Sequence, residues 1–287
     1  MAFPSLAVGA SIALLWGWLY FDTGTALVGQ WLSSADASYG LALAAVAFAL
    51  AWRRRTVFAA AIDPSAPPAL GIAILAFGIV VYLTGALGSD IFLTRVSSVF
   101  VIAGVTCFLS GPAATRVIAA PLIFLLLAIP PPTLVVTALT LPLQTIASRI
   151  GETTLLAGGV QVIRDGNLLR LPSTTLEVAE ACSGLRSLLS LGALAVVLSW
   201  ATERSWPRRA VIVAAAVPIA VVVNGLRVAA TGFACELWGP AAAADPWHTL
   251  TGWLTFAAAM GLLVSTGRLV GDTRAPAGGL YAAVSRP

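Results

Sequence analysis

The 287-residue chain is 59% hydrophobic and only 10% charged, with a formal net charge of +4. Soluble domains carry about 25% charged residues, so this chain cannot cover its surface with water-compatible side chains. It contains no lysine, and its arginines form short clusters between apolar segments instead of a basic stripe interleaved with aromatic residues. This pattern is typical of membrane topology signals and argues against nucleic-acid binding. We predict an all-α polytopic membrane protein.

Apolar segments predict about eight transmembrane helices, because each span needs about 20 mostly apolar residues. The segments are approximately 4–21, 38–52, 69–88, 91–111, 114–131, 182–201, 210–236 and 249–267. The first segment lacks a basic leader, which favours a transmembrane helix over a cleaved signal peptide. The fourth contains Arg95, a charge within the membrane that requires a partner or a wet cavity. We predict one domain over residues 1–287.

The orientation follows from the arginines, since basic connections stay in the cytoplasm. One set of connections contains Arg53, Arg54, Arg55, Arg116, Arg204, Arg208, Arg209, Arg268, Arg274 and Arg286. The opposite set contains Asp22, Asp36, Asp90, Glu152, Asp165, Glu177, Glu180, Glu236 and Asp245. With eight spans, both termini are cytoplasmic, including a tail at about 268–287, and the acidic connections face outward.

The longest connection, about 132–181, lies on the outer side in this topology. Its first part is amphipathic, which predicts an interfacial helix. In its second part, Asp165-Gly166 separates two β-favouring runs, a pattern typical of a β-hairpin. This small outer hairpin would deliver the chain to Cys182 at the beginning of the sixth span.

Cys182 lies where a polar run ends and a long apolar helix begins. A thiolate near a helix N-terminus is stabilised by the helix dipole. Arg186 is four residues further along, on the same helix face, and its charge favours the thiolate as well. Glu180 opposes this effect if it lies close. The alternative is a small, buried, structural cysteine.

Arg227 and His248 are the next candidates for chemistry. Arg227 lies inside a hydrophobic helix, three residues after Asn224, and must face the bundle interior. It could form a structural ion pair or stabilise an oxyanion. His248 is the only histidine, and its side chain alone has an unperturbed pKa near neutrality. The alternative is a place in an aromatic belt with Trp247 and Trp253.

The predicted topology places Cys182, Arg227 and His248 toward one membrane face on three consecutive helices. These residues offer a nucleophile, an electrostatic stabiliser and a general acid or base. Two rivals are a Cys182–Cys235 disulfide, which would silence the nucleophile, and a metal site formed with Cys235, His248 and Asp245. No metal-ligand spacing supports the second, and we predict neither a metal nor a cofactor.

The motifs around these residues also carry a family resemblance. EVAEACSGLRSL, NGLRV and HTLTGWLTF, in this order, resemble the signature of the exosortases. ADASYGLALAAVAFALAWRRR and FLLLAIPPPTLVVTALTLPLQTIAS are similar to the family's early and middle regions. Two departures are Tyr39, where many members have histidine, and the less glycine-rich continuation Thr-Leu-Thr-Gly-Trp after His248.

The resemblance implies a cysteine transpeptidase of the bacterial inner membrane, with its active site facing the periplasm. Its catalytic residues would be Cys182, Arg227 and His248, and we expect Arg186, Asn224 and Glu180 to be supporting residues. Its substrates would be exported proteins whose C-terminal sorting signal combines a motif such as Pro-Glu-Pro, a transmembrane helix and a basic tail. The acceptor would be an exopolysaccharide or a lipid-linked molecule.

Two other functions stay open at this point. In a purely hydrolytic protease, water always resolves the thioester. In a transporter or non-catalytic scaffold, Arg95 and Arg227 would line a pathway and Cys182 would be dispensable.

Overall fold

The computed structural model describes residues 11–270 except 13, 35, 179–184 and 204. Most of these residues are helical, which confirms the all-α membrane fold. Within this part of the chain, five helices are long and apolar enough to cross a membrane: Ala69–Leu87, Ile91–Val117, Thr133–Ala157, Trp206–Trp238 and Thr249–Val270. The chain divides into two compact units, Met1–Pro131 and Pro132–Pro287.

The described helices of the first unit are α1 (Phe21–Ser33), α2 (Tyr39–Arg53), α3 (Arg55–Ala60), α4 (Ala69–Leu87), α5 (Ile91–Val117) and α6 (Ala119–Ala128). Glycines bring α4 and α5 together. Gly71, Gly78 and Gly85 recur every seven residues and are all buried. A Cβ atom on Gly71 would lie 2.5 Å from the backbone nitrogen of Phe108. Small residues of this kind let membrane helices approach backbone to backbone.

The first unit differs from the sequence prediction at two places. Helix α1 occupies residues that were predicted to connect the first two spans. The predicted span 114–131 is also interrupted, because α5 continues past a break at Gly111, where φ is 83°, before α6 begins. The ten residues of α6 measure about 15 Å, about half the hydrocarbon thickness. The number of crossings is therefore not fixed by the apolar segments alone.

The second unit contains α7 (Thr133–Ala157), β1 (Ile163–Asp165), β2 (Leu168–Arg170), β3 (Thr175–Glu177), α8 (Leu185–Thr202), α9 (Trp206–Trp238), a 3-10 helix (Pro240–Ala243) and α10 (Trp247–Val270). A buried cluster joins the last three α-helices. It contains Leu191 of α8, Ala220 of α9 and Leu263 of α10. The last three α-helices are therefore neighbours in the fold.

The sequence predicted an interfacial helix where the structure has α7, and the exposure of its side chains shows that this prediction was wrong. Its polar residues Thr140, Gln144 and Ser148 are buried, whereas Leu134 and Leu141 are 84% and 66% exposed. An interfacial helix turns its polar face to water, but α7 turns its polar stripe into the protein and its apolar face outward. Its 25 residues measure about 37 Å, which is enough to cross a bilayer.

Helix α7 packs closely against α9 because glycines line their contact. A Cβ atom on Gly225 of α9 would lie 2.6 Å from the Ile150 side chain. On α7, a Cβ atom on Gly151 would lie 2.9 Å from Val228. This contact holds α9 next to the segment that leads into the sheet.

The predicted hairpin is confirmed, with its loop one residue later than expected. Strands β1 and β2 are antiparallel, and Asp165 pairs with Leu168 across the two-residue loop Gly166-Asn167. Gly166 has a φ of 64°, and a positive φ at the first loop residue favours glycine there. A third strand, β3, pairs antiparallel with β2 and was not predicted.

Polar contacts attach this small sheet to the helices on either side. The Nε of Arg164 donates to Glu152 of α7 at 2.8 Å. The backbone nitrogen and hydroxyl of Ser173 both donate to Glu236 of α9, at 3.0 and 2.5 Å. Because both ends of the sheet are tied to helices, the chain that leaves β3 starts from a fixed position.

Candidate active site

Cys182 and Glu180 lie outside the described residues, within the segment 179–184. The chain enters this segment from Val178, which is 1% exposed and belongs to the same buried cluster as Val228 of α9. The chain resumes at Leu185, the first residue of α8. The neighbour of Val228 in sequence is Arg227.

Arg227 points its guanidinium group toward α10. A Cβ atom on Gly252 would lie 3.2 Å from the Nη2 of Arg227 and 3.4 Å from its Cζ. One turn before Arg227 on α9, Asn224 is almost fully buried, with 4% of its surface exposed. The guanidinium therefore lies in the contact between two helices, as predicted for an arginine that must avoid lipid.

His248 is the second residue of α10. Position 248 precedes Gly252 by four residues, so the two positions share a helix face and are about 6 Å apart along the axis. The described side chains do not include the imidazole. By its place on α10, however, His248 lies on the helix face that Arg227 contacts, one turn from the guanidinium.

Arg186 occupies the first turn of α8 and is exposed. Its position follows Cys182 by four residues, and α8 packs against both α9 and α10 through their shared cluster. The second unit thus contains Arg186, Asn224, Arg227 and the backbone of His248 on three packed helices. Arg95 belongs to the first unit.

The two rival arrangements gain no support from their described members. Cys235 is a free and fully buried thiol. Asp245 accepts hydrogen bonds from the backbone nitrogen and hydroxyl of Thr249, at 3.2 and 2.6 Å, at the beginning of α10. Among the residues that the structure describes, no group of three histidine, cysteine or acidic side chains is placed to hold a metal ion.

Gly252 is the site residue that the sequence analysis missed. Glycine inside a helix costs about 1 kcal/mol relative to alanine. Its place four residues after the only histidine was the available signal. The structure gives a reason for glycine at this position, because a Cβ atom here would lie only 3.2 Å from the Nη2 of Arg227.

Comparison with known protein families identified a match. The family model described as transmembrane exosortase matches residues 31–265, a range that includes positions 182, 227 and 248. The matched range extends over parts of both compact units. Searches of curated proteins and of solved structures gave no match.

Proposed function

The chain belongs to the transmembrane exosortase family, and on that premise we propose that it is a cysteine transpeptidase that cleaves C-terminal sorting signals from exported proteins. Membership supports a sorting transpeptidase of the membrane in general. One observation supports the catalytic roles proposed for these residues: the guanidinium of Arg227 lies next to Gly252 of α10, one helical turn from position 248. The substrate signal would combine a short motif, a transmembrane helix and a basic tail.

The proposed first step forms a thioester. The Cys182 thiolate attacks the carbonyl carbon of the scissile peptide bond, and Arg227 stabilises the resulting oxyanion. The carbon–nitrogen bond then breaks, and His248 donates a proton to the leaving amine. This step leaves the exported protein bonded to sulfur and releases the transmembrane tail. Arg186 and Asn224 would orient the reacting groups.

The second step releases the protein and restores the Cys182 thiolate. A nucleophile from an exopolysaccharide or lipid-linked acceptor attacks the thioester carbonyl, and its proton is taken up by His248. The carbon–sulfur bond breaks and the Cys182 thiolate is regenerated. If water attacks instead, the product ends in a carboxylate and the reaction is hydrolysis.

The proposed location is the bacterial inner membrane, with both termini in the cytoplasm and the reacting residues facing the periplasm. The support is the distribution of arginines and acidic residues between alternate connections. A substrate helix with a cytoplasmic basic tail would then present its motif at the opposite membrane face, where Cys182 is proposed to act.

Replacing Cys182 by alanine tests the nucleophile. Cleavage of a co-expressed protein with a sorting signal should fall at least about 10³-fold, because loss of a nucleophile removes the covalent pathway. Immunoblotting of the precursor and the shortened product measures this. Cys107→Ala is the matched control, since Cys107 is a buried cysteine of α5 in the first unit. Normal cleavage by the Cys182→Ala variant would sink the proposal.

Mass analysis of the new C-terminus separates transfer from hydrolysis. We expect an added mass that corresponds to the acceptor. A free carboxylate on all of the product would assign the protein to the hydrolytic alternative while leaving the role of Cys182 intact.

A further inference from the structure

A cavity of about 180 Å³ lies among the helices of the first unit. One wall is formed by Arg95, Ser98, Val99 and Ile102, whose spacing places them on a single face of α5. Val28 of α1 also lines the cavity and is 43% exposed, so the cavity reaches the surface of the protein.

Arg95 brings a positive charge to this cavity. Only 9% of Arg95 is exposed, and its Nη1 donates to the Oε1 of Gln30 at 2.7 Å. Within the part of the chain that the structure describes, the ion pairs involve other residues. A buried guanidinium with a neutral acceptor as its partner is costly within a membrane, so an anion would be stabilised here.

Two side chains that line the same cavity each have a buried hydrogen-bond donor without an acceptor among the described residues. These donors are the Nε of Arg95 and the Nε1 of Trp16. Buried donors in folded proteins almost always have an acceptor. Two such donors and one positive charge are complementary to an oxyanion, whose oxygens accept hydrogen bonds and carry negative charge. Oxyanions form strong, charge-assisted hydrogen bonds with guanidinium groups.

We propose that this cavity binds the phosphate group of an anionic membrane lipid. The phosphate oxygens accept from Arg95 and Trp16, and the apolar remainder of the lipid leaves the cavity past Val28. The cavity volume equals that of about six water molecules, so it accommodates a headgroup and the adjoining segment but not a whole lipid. The apolar walls formed by residues such as Val99 and Ile102 favour a lipid over a free, hydrated ion.

Lipid binding by the purified full-length protein tests this proposal. The protein is freed of native lipid in a neutral detergent, short-chain phosphatidylglycerol is added, and the bound lipid is measured by native mass spectrometry. We expect Arg95→Gln to weaken binding by about tenfold or more, because a charge-assisted contact is lost. Arg55→Gln removes the same charge from an exposed arginine of the first unit and should retain the wild-type affinity.

Trp16→Phe provides a second variant if Arg95→Gln does not fold, since it removes one donor and keeps an aromatic ring. It should weaken binding by about two- to tenfold. Wild-type affinity in both variants overturns the proposal. Equal binding of neutral phosphatidylcholine, or displacement of the lipid by inorganic phosphate at equal concentration, overturns the assignment to an anionic lipid.

Discussion

Each compact unit encloses an arginine within its helices, and the two arginines have different surroundings. Arg95 lies at an apolar cavity, where Gln30 is its hydrogen-bond acceptor. Arg227 lies against Gly252, one turn from the only histidine. Both satisfy the rule that a charge within a membrane avoids lipid. The comparison teaches that this rule locates an arginine in the protein interior without assigning its role, which depends on its neighbours.

Substituting lysine for each arginine is the sharpest way to break this comparison. Arg227→Lys keeps the charge but loses the planar, multiply donating guanidinium. We expect cleavage to fall by about 10²–10³-fold, as for loss of an oxyanion donor. Arg95→Lys should lower cleavage by less than about tenfold. Rates of precursor cleavage in membranes measure both, and equal losses in the two variants would remove the functional distinction between the arginines.

The contact between Arg227 and Gly252 is tested by Gly252→Ala. The added Cβ would displace the guanidinium by a few tenths of an ångström, and we expect cleavage to fall by about tenfold. Because alanine favours a helix, α10 itself should not be destabilised. Gly261→Ala is the control on the same helix, since no atom lies within 4 Å of its Cβ position.

A tenfold loss in Gly252→Ala with an unchanged thermal unfolding midpoint would support a positioning role for Gly252. If Gly261→Ala loses as much activity as Gly252→Ala, the effect comes from the helix and not from Arg227.

The smallest expected effect concerns the attachment of the sheet to α7. Glu152→Gln removes the negative charge from the ion pair with Arg164. The side chains of Glu152 and Arg164 are 27% and 23% exposed. We expect stability to fall by less than about 1 kcal/mol and cleavage to stay within about twofold. Thermal unfolding and the cleavage assay check this.

Asp165→Asn is the matched control for Glu152→Gln. The side chains of Asp165 and Arg170 are 69% and 60% exposed, so loss of their ion pair should have no detectable effect on stability or cleavage. A large loss of activity in Glu152→Gln alone would show that the sheet controls the reacting residues more tightly than we expect.

Much of this fold could be predicted from the sequence, because long apolar runs leave few choices. Helices α4, α9 and α10 lie where hydropathy placed them, and Asp165-Gly166 marked the hairpin. Helix α7 could not be predicted in this way. Its buried residues Gln144 and Ser148 lower its hydropathy, and sequence alone does not show whether a polar stripe faces water or another helix.

Less can be compared at the candidate site, because Cys182 and Glu180 lie outside the described residues. Arg227 could be placed in the helix interior because the cost of exposing it to lipid is large. The contact of Arg227 with Gly252 on α10 could not be predicted, because glycine has no side chain whose chemistry would indicate a role. Gly252 became visible only when the rotation of α9 relative to α10 was known.

The inverted polarity of α7 has a consequence for biogenesis. Its stripe of Thr140, Gln144 and Ser148 is buried within a unit whose closest packing against α7 comes from α9, which the ribosome makes later. Until α9 is made, α7 lacks the helix that packs closely against it, and an unshielded amide such as that of Gln144 is unfavourable in hydrocarbon. We therefore expect the final position of α7 in the membrane to depend on the synthesis of α9, the helix that carries Arg227.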